Sequence, residues 1–341
     1  MKNEYYYQTL NKMQKAAYHA MYEGFAAAAS DFLVPRLSNG ELGDLFLRIR
    51  LDHPEIFYVK GFHYRFTETS DWVSMIPEYM FEKKKIAEHK RSLEARITRL
   101  IRPALSMTVE EKERYIHDFI CENVTYDQLK KQYSHEIIGP LQQGIGVCEG
   151  IAKTVKILCD RLGMECIIAI SESDPENGIK YRHAWNLVKI KGAWYHLDAT
   201  FDNSLGRYGA KRFDYYNLDD KKIARDHRPV IYKVPACTDG DHFYYKENRL
   251  SLTKIEDVGK RLDAALRKKQ TSFVFHWRGG YLTREVLCEI MENAAQTAKK
   301  RQKYIRLSFN WAQAVLQIMA VDQLPEEEMC KEEANEGETV I

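Results

Sequence analysis

Cys148, His183 and Asp198 have the residue types that thiol chemistry needs, and all three fall between Gly146 and Asp202. A cysteine attacks as the thiolate, a histidine takes and returns its proton, and a carboxylate orients the histidine. From Cys148 onward, Ile151, Ala152, Val155, Cys159 and Leu162 recur at three- and four-residue steps, and Gly163 supplies a stop. The spacing predicts a helix with Cys148 in its first turn, where unpaired N–H groups and the helix dipole favour a thiolate. Cys166 to Ile170 is apolar enough for a buried strand, and His183–Lys189 and Ala193–Thr200 alternate as a hairpin turning near Lys191–Gly192. A turn at Ile190–Lys191 sets His183 directly opposite Asp198. A turn one residue later makes them diagonal neighbours, and either register leaves both on one sheet face.

GVCEG at a helix start, HAWN, and WYHLDATFD together resemble the transglutaminase-like superfamily, whose core is a circularly rearranged relative of the papain fold. The resemblance runs from Met107 to His227, taking in Tyr126-Asp127 and the segment FDYYNLDDKKIARDH; Phe201 stands where many members carry Trp. It implies that Cys148, His183 and Asp198 are the catalytic Cys, His and Asp, and that no cofactor is needed. The expected activity is acyl transfer through a thioester on Cys148, formed from a peptide or glutaminyl amide. Hydrolysis, as a protease or deamidase, is expected over cross-linking, because nothing in the sequence builds a site that keeps water out. The alternative is a catalytically idle papain-like scaffold that binds a protein partner, which 21 Tyr and 14 Phe keep open.

His196 lies on the same sheet face as Asp198 and competes for the base role; the HAW context ranks His183 first, with His196 packing opposite Trp185. His183, His196, Asp198 and Asp202 could also hold a metal, but one short hairpin offers no second cluster to complete a tetrahedral set, so no metal site is assigned. Oxyanion donors are the backbone N–H of Cys148, with Gln142 and Tyr126 as side-chain candidates. Trp185 either lines the groove or packs in the hairpin core.

The elements that must position these residues indicate an α+β chain. Leu10, Met13, Ala17, Met21, Phe25 and Ala28 predict one helix over about 5–29. Ser38 and Glu41 make a capping box for a second, and Phe62, Tyr64 and Phe66 a strand paired with 72–81. A basic helix covers about 83–102; its charges, with no aromatic or glycine-rich interleaving, read as a solvated face rather than a nucleic-acid patch. Thr108 and Glu111 cap the helix that opens the core. After Leu252 the pattern becomes helix, strand, helix, strand and a third strand at 314–321, a small α/β accessory unit. The expected division is residues 1–105 as an N-terminal helical region with a short strand pair, 106–250 as the transglutaminase-like catalytic core, its helix packed on an antiparallel sheet, 251–324 as the accessory domain, and 325–341 as an acidic disordered tail.

Net charge is +2, and seven Glu against one Lys in the last 17 residues leave the rest mildly basic. Seven Cys in no disulfide or zinc spacing point to reduced thiols, and no window approaches a signal peptide or a membrane span. A cytoplasmic protein is expected, acting on a protein or peptide, with no nucleic acid and no membrane partner, and an oligomeric state the sequence leaves open.

Overall fold

The computed structural model describes residues 4–173, 176, 182–207 and 209–323. The acidic tail and most of the Ser171–Lys180 loop lie outside the described residues. The chain forms two compact units. One comprises residues up to Ser204 together with Asn217–Asp239, and the other Leu205–Tyr216 and the chain from Gly240.

The first unit is built on the helix Cys148–Arg161, which buries Ile151, Ala152, Val155, Leu158 and Cys159 as the spacing requires. It packs on a sheet whose strands Cys166–Ile170, Ala184–Ile190 and Ala193–Leu197 run antiparallel, Ile170 pairing with Ala184 and Ile190 with Ala193. Lys191 and Gly192 both have positive φ (48° and 91°), the two-residue turn that matches strand twist. This register pairs Asn186 with Leu197, so the turn lies at Lys191–Gly192 and His183 and Asp198 are diagonal neighbours. The second strand ends at Leu197 rather than Thr200, because a helix spanning Ala199–Gly206 begins there.

Capping boxes close the starts of Asn39–Asp52 (Ser38 with Glu41) and Val109–Asn123 (Thr108 with Glu111). The basic helix runs Lys83–Ile101 and buries Ile86, Leu93 and Ile97. The expected helix over 5–29 is two helices, Tyr5–Gln8 and Lys12–Ala26, because Asn11 forms a further capping box with Gln14 and restarts the chain. A strand at Phe32–Pro35 then joins Val59–Arg65 and Trp72–Tyr79 in an antiparallel sheet. The buried Asp52 carboxylate accepts from Tyr6 N, Tyr7 N and the Tyr18 hydroxyl, and Tyr6 donates its own hydroxyl to Ile168 O at 2.6 Å. The N-terminal segment is thereby tied to the strand beneath the Cys148 helix. Burial raises the Asp52 pKa to about 6, against the hydrogen bonds it receives.

The second unit is a four-stranded sheet, with Val315–Val321 between Ser272–Trp277 and Tyr304–Asn310 and Ser251–Leu252 at the far edge, flanked by helices Ile255–Arg267 and Arg284–Lys299. Val258, Leu262, Phe275, Trp277, Ile290, Leu316 and Ile318 form its core.

Candidate active site

The loop before Cys148 is fixed on both sides. Strand Thr125–Tyr126 pairs in parallel with Ile145–Gly146, setting Tyr126 opposite Gly146, and Asp127 N donates to Gly146 O at 3.0 Å. Val147 N donates to Ser134 O, and a Cβ at Gly150 would lie 2.2 Å from that same carbonyl, so only glycine lets the helix start this close. Asp127 ties the 127–134 turn by accepting from Leu129 N, Lys131 N and the Ser134 hydroxyl. Beneath the first turn, Arg50 and Lys153 each pair with both Glu136 and Glu149, an ion network among half-buried and buried groups. Paired on both sides, these charges hold the residues flanking Cys148 without leaving one uncompensated in the interior.

Cys148 is therefore the first residue of its helix, half-buried, and its backbone N–H has no acceptor within the helix. His183 Nε2 meets Asp198 Oδ2 at 2.6 Å, which leaves Nδ1 as the ring nitrogen for a second partner. Cys148 lies close enough to His183 for its thiol to count among the groups that raise the pKa of the ring. Burial opposes charge on His183, but the Asp198 charge and hydrogen bond, reinforced by Cys148, raise its pKa to about 10. Its side chain keeps 20% of its surface exposed.

Asp198 is fully buried and serves two structures at once. Oδ1 accepts from Thr200 N and Phe201 N at 2.9 and 3.0 Å, the geometry of a helix cap. Oδ2 accepts from His183 and, at 2.9 Å, from His227 Nε2. Burial would push the carboxyl pKa up, but the charges and hydrogen bonds of His183 and His227 hold it well below the usual carboxylate range. His227 Nδ1 in turn meets Asp226 Oδ1 at 2.8 Å. Trp185, 2% exposed, stacks on His183 at 5.8 Å and meets the edge of His227 at 5.0 Å, while Phe201 packs on both imidazoles. Trp185 is thus a buried aromatic wall behind the imidazoles.

His196 goes elsewhere. Trp185 Nε1–H donates to its Nδ1 at 3.0 Å, which places the proton of the neutral ring on Nε2, aimed at Asp220 2.9 Å away. Burial, the largest influence, lowers its pKa. Cys237 completes a His196–Asp220–Cys237 group, but a metal at Nε2 would need that nitrogen free of its proton while Nδ1 is already an acceptor. Asp202 pairs with His117 Nε2 at 3.0 Å, so His183, His196, Asp198 and Asp202 do not converge as one ligand set. The Tyr126 hydroxyl has its pKa raised by burial and by the charges of Cys148, Asp198 and Asp127. Gln142 lines a cavity of about 570 Å³ with Ser92, Arg96, Arg99, Phe119 and Asn123, a set that includes none of the three.

His227 is marked in the sequence only as the last residue of FDYYNLDDKKIARDH, 29 residues after Asp198 on an irregular segment, with nothing there to assign it a role. Its arrival at the same carboxylate oxygen depends on how the segment after Leu218 folds back.

Residues 92–199 match the family model described as the transglutaminase-like superfamily, a span that contains Cys148, His183 and Asp198. Residues 92–199 are a transglutaminase-like segment. The chain is also 24% identical over 155 residues to the kyphoscoliosis peptidase of Mus musculus, covering 40% of this chain and 23% of that protein. This chain therefore spans about a quarter of the mouse protein's length. A solved structure titled as a crystal structure of a TGase superposes on 42% of this chain and 44% of its own at 10% identity, with a TM-score of 0.29, too slight to weigh. Among the described residues, no helix is long and apolar enough to cross a membrane.

Proposed function

We propose that the protein is a cysteine-dependent acyl-transfer enzyme that forms a thioester on Cys148 from a peptide or glutaminyl amide and passes the acyl group to water in preference to an amine. The observation that carries this reading is the His183 imidazole held 2.6 Å from the buried Asp198, with Cys148 at a helix start and among the groups that raise the pKa of that imidazole. The thiolate attacks the amide carbon. The oxyanion that forms is met by the backbone N–H of Cys148 and by the Tyr126 hydroxyl. The carbon–nitrogen bond then breaks, and His183 gives its proton to the departing amine or ammonia. Water attacks the thioester next, giving a proton to the now neutral His183, and the thiolate leaves to restore the starting pair. Hydrolysis is favoured because the exposed fifth of His183 leaves the imidazole open to solvent.

The test incubates the full chain with glutaminyl peptides and unmodified protein substrates, following ammonia, new amino termini and incorporation of a fluorescent alkylamine. Ammonia or new termini in excess of alkylamine incorporation, lost in Cys148→Ala, is the expected result. Turnover that survives Cys148→Ala overturns the thioester. No turnover, together with stable capture of an intact protein, favours the idle scaffold.

A further inference from the structure

The acyl-transfer reading accounts for His183 and Asp198 but not for the second imidazole on the same oxygen. Asp198 has both oxygens fully engaged: two backbone N–H groups on Oδ1, and His183 and His227 on Oδ2. His227 is buried, and each of its ring nitrogens faces a carboxylate, Nε2 to Asp198 and Nδ1 to Asp226. A neutral imidazole has one N–H and one bare nitrogen, and a bare nitrogen against a carboxylate is repulsive. The geometry therefore calls for both nitrogens to carry protons.

Resting on the proposed reaction, we infer that His227 is a positioning residue. It holds the Asp198 carboxylate at the same oxygen as His183 and takes a share of its charge, so that His183 is oriented by Asp198 yet can still release its proton to the leaving amine. Without such a partner, the negative charge of Asp198 in a dry interior would fall on His183 alone and bind its proton more firmly. The rings are 5.3 Å apart, close enough for each positive charge to disfavour the other. The titratable groups facing His227 include Asp226 on its own segment and Asp198, His183 and His196 from the hairpin and its end. Trp185 and Phe201 set apolar rings against this buried imidazole, which strengthens its interaction with the carboxylate. In direction the His227 pKa is raised: burial opposes the charged form, and the two carboxylates outweigh it.

The experiment is a pH titration of the histidine ring nitrogens by nitrogen-15 NMR on the full chain, in wild type, His227→Gln and Asp226→Asn. In wild type at pH 7, His227 should show both ring nitrogens protonated; a neutral tautomer there overturns the inference. His227→Gln keeps one N–H donor for Asp198 but loses the charge, and should move the His183 midpoint upward by about half a unit or more. A purely structural histidine, replaced by a side chain that keeps the hydrogen bond, would leave that midpoint where it was, and an unmoved midpoint overturns the proposal. Should His227→Gln fail to fold, Asp226→Asn decides. It leaves both imidazoles in place and should lower the His227 midpoint by about one unit; an unchanged midpoint overturns the clamp. The titration needs no turnover. A shifted His183 in a protein without amide cleavage would sink the proposed reaction and keep the positioning role, and cleavage by Cys148 with an unmoved His183 would do the reverse.

Discussion

Cys148–His183–Asp198 and Cys121–His117–Asp202 are the same three residue types, and their carboxylates stand one helical turn apart, Asp202 N donating to Asp198 O. Each aspartate holds a histidine, at 2.6 and 3.0 Å, and each histidine has a thiol beside it, Cys121 Sγ lying 3.6 Å from His117 Nε2. They differ in where the chain puts the thiol and the ring. Cys121, half-buried like Cys148, and His117, wholly buried, are neighbours inside the helix Val109–Asn123 rather than at its end. Cys148 opens its helix, and His183 precedes its strand with a fifth of its surface open. A constellation of types is common to both; element ends that meet solvent belong to one.

The largest effect that would break this contrast is on turnover. Cys148→Ala should lower the rate of ammonia or peptide release by about a thousandfold or more, while Cys121→Ala stays within about twofold. Equal losses in the two variants would make the buried group part of the chemistry. The buried group should instead show itself in stability. Burial opposes charge on His117, but Cys121, Asp118 and Asp202 hold its pKa well above the ordinary value, so Asp202→Ala strands a buried cation. Urea unfolding should then find a loss of about 3 kcal/mol, and a loss under about 1 kcal/mol would show that Asp202 is not what holds His117.

Next in size is the pH dependence of the open group. The folded His183 titrates near about 10 rather than the ordinary 6.5, so its pairing stabilises the fold fully below pH 6.5 and is lost as the pH rises through about 10. The destabilisation caused by His183→Gln should be about 2 kcal/mol at pH 6.5 and should fade by pH 10. A penalty that stayed constant across that window would mean the imidazole is held by packing against Trp185 and Phe201. The smallest effect separates the two oxyanion candidates: Tyr126→Phe should lower kcat about tenfold, and Gln142→Ala should change it less than twofold. The reverse order would move the oxyanion site toward the cavity that Gln142 lines.

Much of this arrangement is legible in the sequence because it depends on local rules. The helix from Cys148 follows from its apolar spacing, the hairpin from alternation and Lys191–Gly192, and the helix starts at Ser38 and Thr108 from their capping boxes. The break before Asn11 was equally local, since Asn11 and Gln14 form the same kind of box, but the apolar stripe running past it conceals the stop. Asp198 reads as a strand residue by alternation, whereas its carboxylate ends the strand by capping the next helix. Apart from the i,i+4 pair Glu149–Lys153, the Arg50–Glu136–Glu149–Lys153 network and the approach of His227 to Asp198 join residues 17 to 99 positions apart, and no periodicity announces such contacts.

The double duty of Asp198 also limits how a protein with the proposed activity could lose it over generations and survive. A change to a residue without an acceptor at Oδ1 removes the cap of Ala199–Gly206 along with the charge, so the chain loses a fold element in the same step as a reaction. Asparagine keeps an acceptor for Thr200 and Phe201 and gives up only the charge. Drift toward an inert descendant that still folds is therefore channelled through Asn at position 198 or through the thiol of Cys148, whose side chain caps nothing.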